Sequence, residues 1–175
     1  MKHFQLNATL VNITGSVIAI GGNADSDTCT VSNNWGVRGI GGKITINSLI
    51  AEVNTINVSS GGIGFCDDGN GGKAIINTTN TLTVYRVSAL GNATVADSSG
   101  NITLRGHDLF VYDTLDASNG TYRGKIILEY NNTINITNAT ISPNPFIIKE
   151  NEFGRIEFAD AINKTSIDIN SSINI

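Results

Sequence analysis

The chain has 175 residues and a formal charge of −4, from 11 basic and 15 acidic side chains. That length allows one domain with a real core, and the charge excludes the basic footprint of a nucleic-acid binder. No run of Lys or Arg marks a membrane surface, and no apolar stretch reaches the roughly 20 residues needed to span a bilayer, so neither nucleic acid nor membrane insertion is expected for this segment.

The bias of the composition is strong. Ile (25), Asn (23), Gly (19), Thr (18) and Ser (14) make up 99 of the 175 residues. Ile and Thr suit a pleated strand, while Asn, Gly and Ser suit turns because they tolerate left-handed backbone or bond their own main chain. Strong helix formers are few, so the expected class is all-β. The start, Met1-Lys2-His3-Phe4-Gln5-Leu6-Asn7, has no signal-peptide core. Two readings remain, a cytoplasmic protein or a piece of a longer exported chain, and the features below favour the second.

In chain order, Phe4-Gln5-Leu6 and Val17-Ile18-Ala19-Ile20 read as a first strand unit, followed by an insertion over about 21–41. Gly41-Gly42-Lys43-Ile44-Thr45-Ile46-Asn47 then recurs as Gly71-Gly72-Lys73-Ala74-Ile75-Ile76-Asn77. The same shape returns at Gly100-Asn101-Ile102-Thr103-Leu104, Gly124-Lys125-Ile126-Ile127-Leu128 and Gly154-Arg155-Ile156-Glu157-Phe158. Each start is followed by a second alternating run: Ile56-Asn57-Val58, Leu82-Thr83-Val84, Leu109-Phe110-Val111, Ile134-Asn135-Ile136 and Ile167-Asp168-Ile169. Period-two alternation marks half-buried strands. One such unit cannot bury its apolar face alone, whereas stacked units bury a continuous column. The expectation is a single domain over 1–175, a parallel β-helix (solenoid) of about six irregular rungs. Ile44, Ile75, Ile102, Ile126 and Ile156 would share one buried column, with rungs ~4.8 Å apart. An antiparallel sandwich or barrel is the alternative, with Asn119-Gly120, Asp68-Gly69 and Asn70-Gly71 as hairpin turns. The end, Ile173-Asn174-Ile175, reads as an uncapped strand, so end-to-end self-association or a continuing chain is expected.

Lys43-Ile44-Thr45-Ile46 followed by Thr55-Ile56-Asn57-Val58, and Asn80-Thr81-Leu82-Thr83-Val84 followed by Val87-Ser88-Ala89, resemble the Gly-rich repeats of β-helical surface proteins. Filamentous-haemagglutinin-like adhesins and pectin-lyase-like folds share this character. The resemblance covers about residues 43–175 and implies a right-handed parallel β-helix with an extracellular or cell-surface role.

Asn-x-Ser/Thr triplets begin at Asn7, Asn12, Asn57, Asn77, Asn92, Asn101, Asn119, Asn131, Asn135, Asn138, Asn163 and Asn170. Random placement of the Ser and Thr would give about four such triplets, a third of the twelve observed. They read either as N-glycosylation acceptors on an exported protein or as the outer face of a strand repeat. Cys29 and Cys66 each precede a Gly-Gly-Lys start, so a disulfide between them fits an oxidising compartment, against two unrelated thiols. Asn23-Ala24-Asp25-Ser26-Asp27 and Asp67-Asp68-Gly69-Asn70 offer oxygens of the kind calcium takes, but the spacing fits no calcium loop and solvated turns are expected. No cofactor and no metal is expected.

An enzyme of the pectin-lyase-like type would use Asp67, Asp68 and His107, a pairing that resembles the Asp pair and the Gly-His of polygalacturonases. Asp108 replaces their second Gly, and no upstream Asn-Thr-Asp occurs. Trp35 in the insertion can stack on a sugar or plug an open end. The expected function is a non-catalytic surface module meeting glycans or surface proteins, with a carbohydrate-active hydrolase or lyase as the alternative.

Overall fold

In this computed structural model the described residues are 3–21, 40–61, 70–91, 100–118, 124–136 and 139–142, together with the backbone of 155–159, 167–169 and 172–174. All the regular structure in them is β-strand. β1 spans His3–Ile18, β2 Lys43–Asn57, β3 Lys73–Thr78, β4 Thr81–Ser88, β5 Asn101–Asp116, β6 Lys125–Asn135 and β7 Ala139–Ser142. The short strands β8 (Arg155–Ala159), β9 (Ile167–Ile169) and β10 (Ser172–Asn174) follow.

β2 pairs in parallel with β1, β3 and β4, and β5 pairs in parallel with β3, β4, β6 and β7. β3 and β4 are short and consecutive, so both fit between the long β2 and β5. Those four pairings close a circuit, a small four-stranded parallel barrel to which the remaining strands are added.

The expected six-rung right-handed parallel β-helix is not what forms. Parallel pairing ends at β6 and β7. β8 and β10 pair antiparallel with β6, and β9 pairs antiparallel with β7. The expected column fails at two of its five residues. Ile75 is in register with Thr45 and Thr103, while Ala74 takes the place between Ile44 and Ile102. Ile156 faces Leu128 from a strand of opposite direction. Both misses have physical causes. Ala74, Ile75 and Ile76 are three apolar residues in a row, so alternation does not say which of them point inward. A strand's period of two is also the same whichever way its neighbour runs. The second runs are displaced too: Leu82 and Val84 are in register with Ala51 and Val53, while Ile56 pairs with Val87.

The interior is built from rows of register partners. Ile44, Ala74, Ile102 and Ile126 form one row, and Ile46, Ile76, Leu104 and Leu128 another. Ala51, Leu82, Leu109 and Ile134 follow, then Ile56, Val87, Leu115 and Ile141. All of these side chains are buried. Burying an Ile, Leu or Val side chain contributes about 1.5–3 kcal/mol relative to exposure, so these rows are the main source of stability.

The glycine just before the start of β2, β3, β5 and β6 is bonded back to an earlier segment. The N–H of Gly42 donates to the carbonyl of Ala19 (2.6 Å), Gly72 to Val58 (2.7 Å), Gly100 to Ala89 (2.7 Å) and Gly124 to Ala117 (3.1 Å). The strand that follows each glycine continues the ladder: Lys73 donates to Gly42, Asn101 to Gly72 and Lys125 to Gly100. Here backbone packs on backbone, which explains the recurring glycine before each start.

β1 lies at one end of the strand order, and among the described residues its outer edge has no partner strand. Phe4, Leu6, Ile13 and Val17 are in register with buried β2 residues yet stay at least partly exposed, because nothing described covers their other side. Among the described residues, seven of the eight exposed large apolar side chains fall in 4–20 or 40–50: Phe4, Leu10, Ile18, Ile20, Ile40, Leu49 and Ile50.

Candidate functional site

Outward-facing residues also form rows, and these carry the polar chemistry. The amide of Asn47 donates from Nδ2 to Asn7 Oδ1 (2.8 Å), and Asn77 Nδ2 donates to Asn47 Oδ1 (2.9 Å). The row continues through Arg105, in register with Asn77, which is ion-paired with Glu129. Asn132 donates to Asp108 Oδ1 (2.7 Å) where β6 carries an extra residue opposite β5. Neighbouring strands are thus tied across the surface as well as through the backbone. One side row holds Lys43, Lys73, Asn101 and Lys125.

A second surface has different chemistry. Between Val84 and Val87 of β4, two consecutive side chains, Tyr85 and Arg86, lie outside the core. On β5 three do so between Val111 and Leu115: Tyr112, Asp113 and Thr114. The extra β5 residue is a bulge, with Val84 and Arg86 matched to Val111 and Thr114. Bulges re-aim side chains. Here the result is an ion pair, Arg86 Nη2 to Asp113 Oδ2 at 2.6 Å, beside a group of rings. Tyr85 and Tyr112 have centroids 5.5 Å apart at 34°, and Phe110 and Tyr112 6.5 Å apart and nearly parallel at 9°. Glu52 Oε1 lies 3.5 Å from the Tyr85 hydroxyl, and the Thr114 hydroxyl donates to Asp113 Oδ1 (2.7 Å). Three of the five described aromatic side chains therefore lie together, with Glu52 at the Tyr85 hydroxyl and the Arg86–Asp113 pair formed by the residues that follow Tyr85 and Tyr112 in the chain.

The residues singled out from sequence are scattered relative to this aromatic corner. Of the sequon asparagines, Asn7, Asn12, Asn101 and Asn131 are exposed, while Asn57, Asn77 and Asn135 are half-buried. The Asn57 side chain accepts from the Ser59 N–H (3.0 Å). Asn92, Asn119, Asn138, Asn163 and Asn170 lie outside the described residues, as do Cys29, Cys66, Trp35, Asp67, Asp68 and the acidic segment at 23–27. His107 is exposed on β5, where its backbone N–H donates to Asn80 (2.8 Å). No group of three or more His, Cys, Asp or Glu suited to a metal ion occurs among the described residues, nor does any helix long and apolar enough to cross a membrane.

The exposure pattern makes a prediction about modification. In a glycosylating host, Asn101 and Asn131 should carry glycan and Asn77 should not, because its Nδ2 already donates to Asn47. Peptide mass spectrometry of the secreted chain reads this directly, and high occupancy at Asn77 would contradict the amide row.

The aromatic corner was missed in the sequence, although a signal for it exists. Leu82-Thr83-Val84-Tyr85 and Leu109-Phe110-Val111-Tyr112 are the same Leu-x-Val-Tyr pattern, and register places one on the other. No family model, curated protein or solved structure matches the chain.

Proposed function

We propose that the chain is a non-catalytic extracellular or cell-surface module whose outer surfaces meet glycans or protein partners. The observation that carries this reading is the organised exterior. Its outward amides, hydroxyls and paired charges bridge one strand to the next, as in Asn7–Asn47–Asn77, so they are held in place before any partner arrives. Groups ordered in advance lose less entropy on binding, which is what a recognition surface needs. The wealth of Asn-x-Ser/Thr triplets supports an exported location.

The test is binding of the purified chain to intact cell surfaces and to immobilised glycans, with release of reducing ends measured in parallel. Saturable binding without cleavage is expected. Steady production of reducing ends from any polysaccharide would replace this reading with a catalytic one.

Self-association through β1 belongs to the same proposal, with a second copy of this chain as the occupant of the edge that no described strand pairs with. Apart from His3, β1 carries no ionisable side chain, so two identical edges can meet without like-charge repulsion. The expected result is a concentration-dependent dimer in sedimentation, lost in Leu10→Lys, since a lysine on an edge strand blocks pairing. A strict monomer at the highest soluble concentration contradicts it.

A further inference from the structure

We propose that the corner formed by Tyr85, Phe110 and Tyr112 is a stacking platform for a neutral, extended polysaccharide. This inference rests on the surface-module reading and names the ligand class for one part of that surface.

The argument starts from the cost of the arrangement. Aromatic rings gain most when buried, yet 43% of Tyr112 is exposed and Tyr85 and Phe110 are only half-covered. A single exposed ring needs no explanation, but three gathered at one corner on register-matched strands form a continuous apolar surface. The rings come together because the Leu-x-Val-Tyr pattern is laid on itself, and the β5 bulge leaves Asp113 outside the core beside Tyr112 in the chain.

Sugars suit this surface for three reasons. A pyranose has one face of C–H groups that packs on an aromatic ring, while its hydroxyls point outward in the ring plane. Around the rings stand groups to meet those hydroxyls: Glu52, Thr83 and Asn135 in the same outward row as Phe110, and the Arg86–Asp113 pair beside Tyr112. The ring separations, 5.5 Å across strands and 6.5 Å along β5, are close to the advance of one sugar in an extended chain, so adjacent sugars can each find a ring. The charge nearest the rings is already balanced, with Arg86 held by Asp113, and Glu52 would repel a uronic acid. That selects a neutral polymer over an acidic one.

The probes are hydroxyethylcellulose, galactomannan and dextran, each cast into native gels. The unaltered chain should be retarded by at least one of them. Tyr112→Ala and the double variant Tyr85→Ala/Tyr112→Ala should weaken that retardation by about tenfold or more, while Tyr112→Phe, which keeps the ring, should retain it. Urea unfolding of each variant confirms that the fold persists, and Tyr112→Phe serves as the reference if the alanine variants unfold. Equal retardation of the unaltered chain and a folded double variant overturns the platform. So does the absence of retardation by all three polymers. Cell-surface binding that survives either result leaves the broader module reading standing, whereas loss of both removes it as well.

Discussion

Gly72→Ala is expected to destabilise the chain by about 3–5 kcal/mol, a large share of the roughly 5–15 kcal/mol by which a typical domain is stable. A methyl group at this position would overlap the Gly42 carbonyl oxygen, approach the Val58 carbonyl oxygen to 2.5 Å and lie 2.7 Å from the Gly41 carbonyl carbon. All three are backbone atoms in paired segments, so none can swing aside as a side-chain tip would. The Val58 oxygen also accepts the Gly72 N–H, and displacing it breaks the joint between the start of β3 and the segment after β2. Gly100 and Gly124 stand at the equivalent joints, with the same crowding from backbone oxygens, so alanine there should act alike. Gly15 is the control: nothing lies within 4 Å of its added methyl, and Gly15→Ala should leave stability unchanged or raise it by about 0.4–1 kcal/mol through the unfolded chain. Chemical denaturation of the four variants measures the contrast. A soluble Gly72→Ala chain with the parent midpoint would show that the joints are looser than their geometry says.

The second large effect separates two adjacent isoleucines. Ile76 is fully buried and stands in the row of Ile46, Leu104 and Leu128, so Ile76→Ala should cost about 2–5 kcal/mol, transfer and cavity terms together. Ile75 faces outward beside Thr45 and Thr103, and Ile75→Ala should cost less than about 1 kcal/mol. Equilibrium unfolding decides it. Similar losses for both, or a larger loss at Ile75, would mean that β3 sits one residue out of register, since a one-residue slip exchanges the two faces of a strand.

That pair also shows how far the sequence could be read. The β class, the strand starts and the paired Gly were legible, because a glycine that packs backbone on backbone has no substitute and must recur wherever the joint recurs. The facing of β3 was not, since three apolar residues in a row carry no parity. Nor was the direction of β8, because Gly154-Arg155-Ile156-Glu157-Phe158 keeps the repeat's spelling while its strand runs antiparallel to β6. Hydrogen-bond direction leaves no mark on alternation, and that error turned a closed circuit of parallel strands with antiparallel additions into an expected six-rung coil. For the site, the polar rows were legible as a class, but which asparagines are tied into a row depends on register. The Tyr85–Tyr112 contact needed the pairing of β4 with β5, and the bulge that leaves Asp113 outside the core has no spelling of its own.

The glycine-to-carbonyl joints separate two kinds of evolutionary freedom. Each one holds a glycine N–H, of Gly42, Gly72, Gly100 or Gly124, on the carbonyl of Ala19, Val58, Ala89 or Ala117. The same joint thus closes over four different sequence separations, so it sets the two residues it joins and not the number of residues between them. Insertions and deletions between the partners of a joint should therefore be tolerated where replacement of the glycine is not.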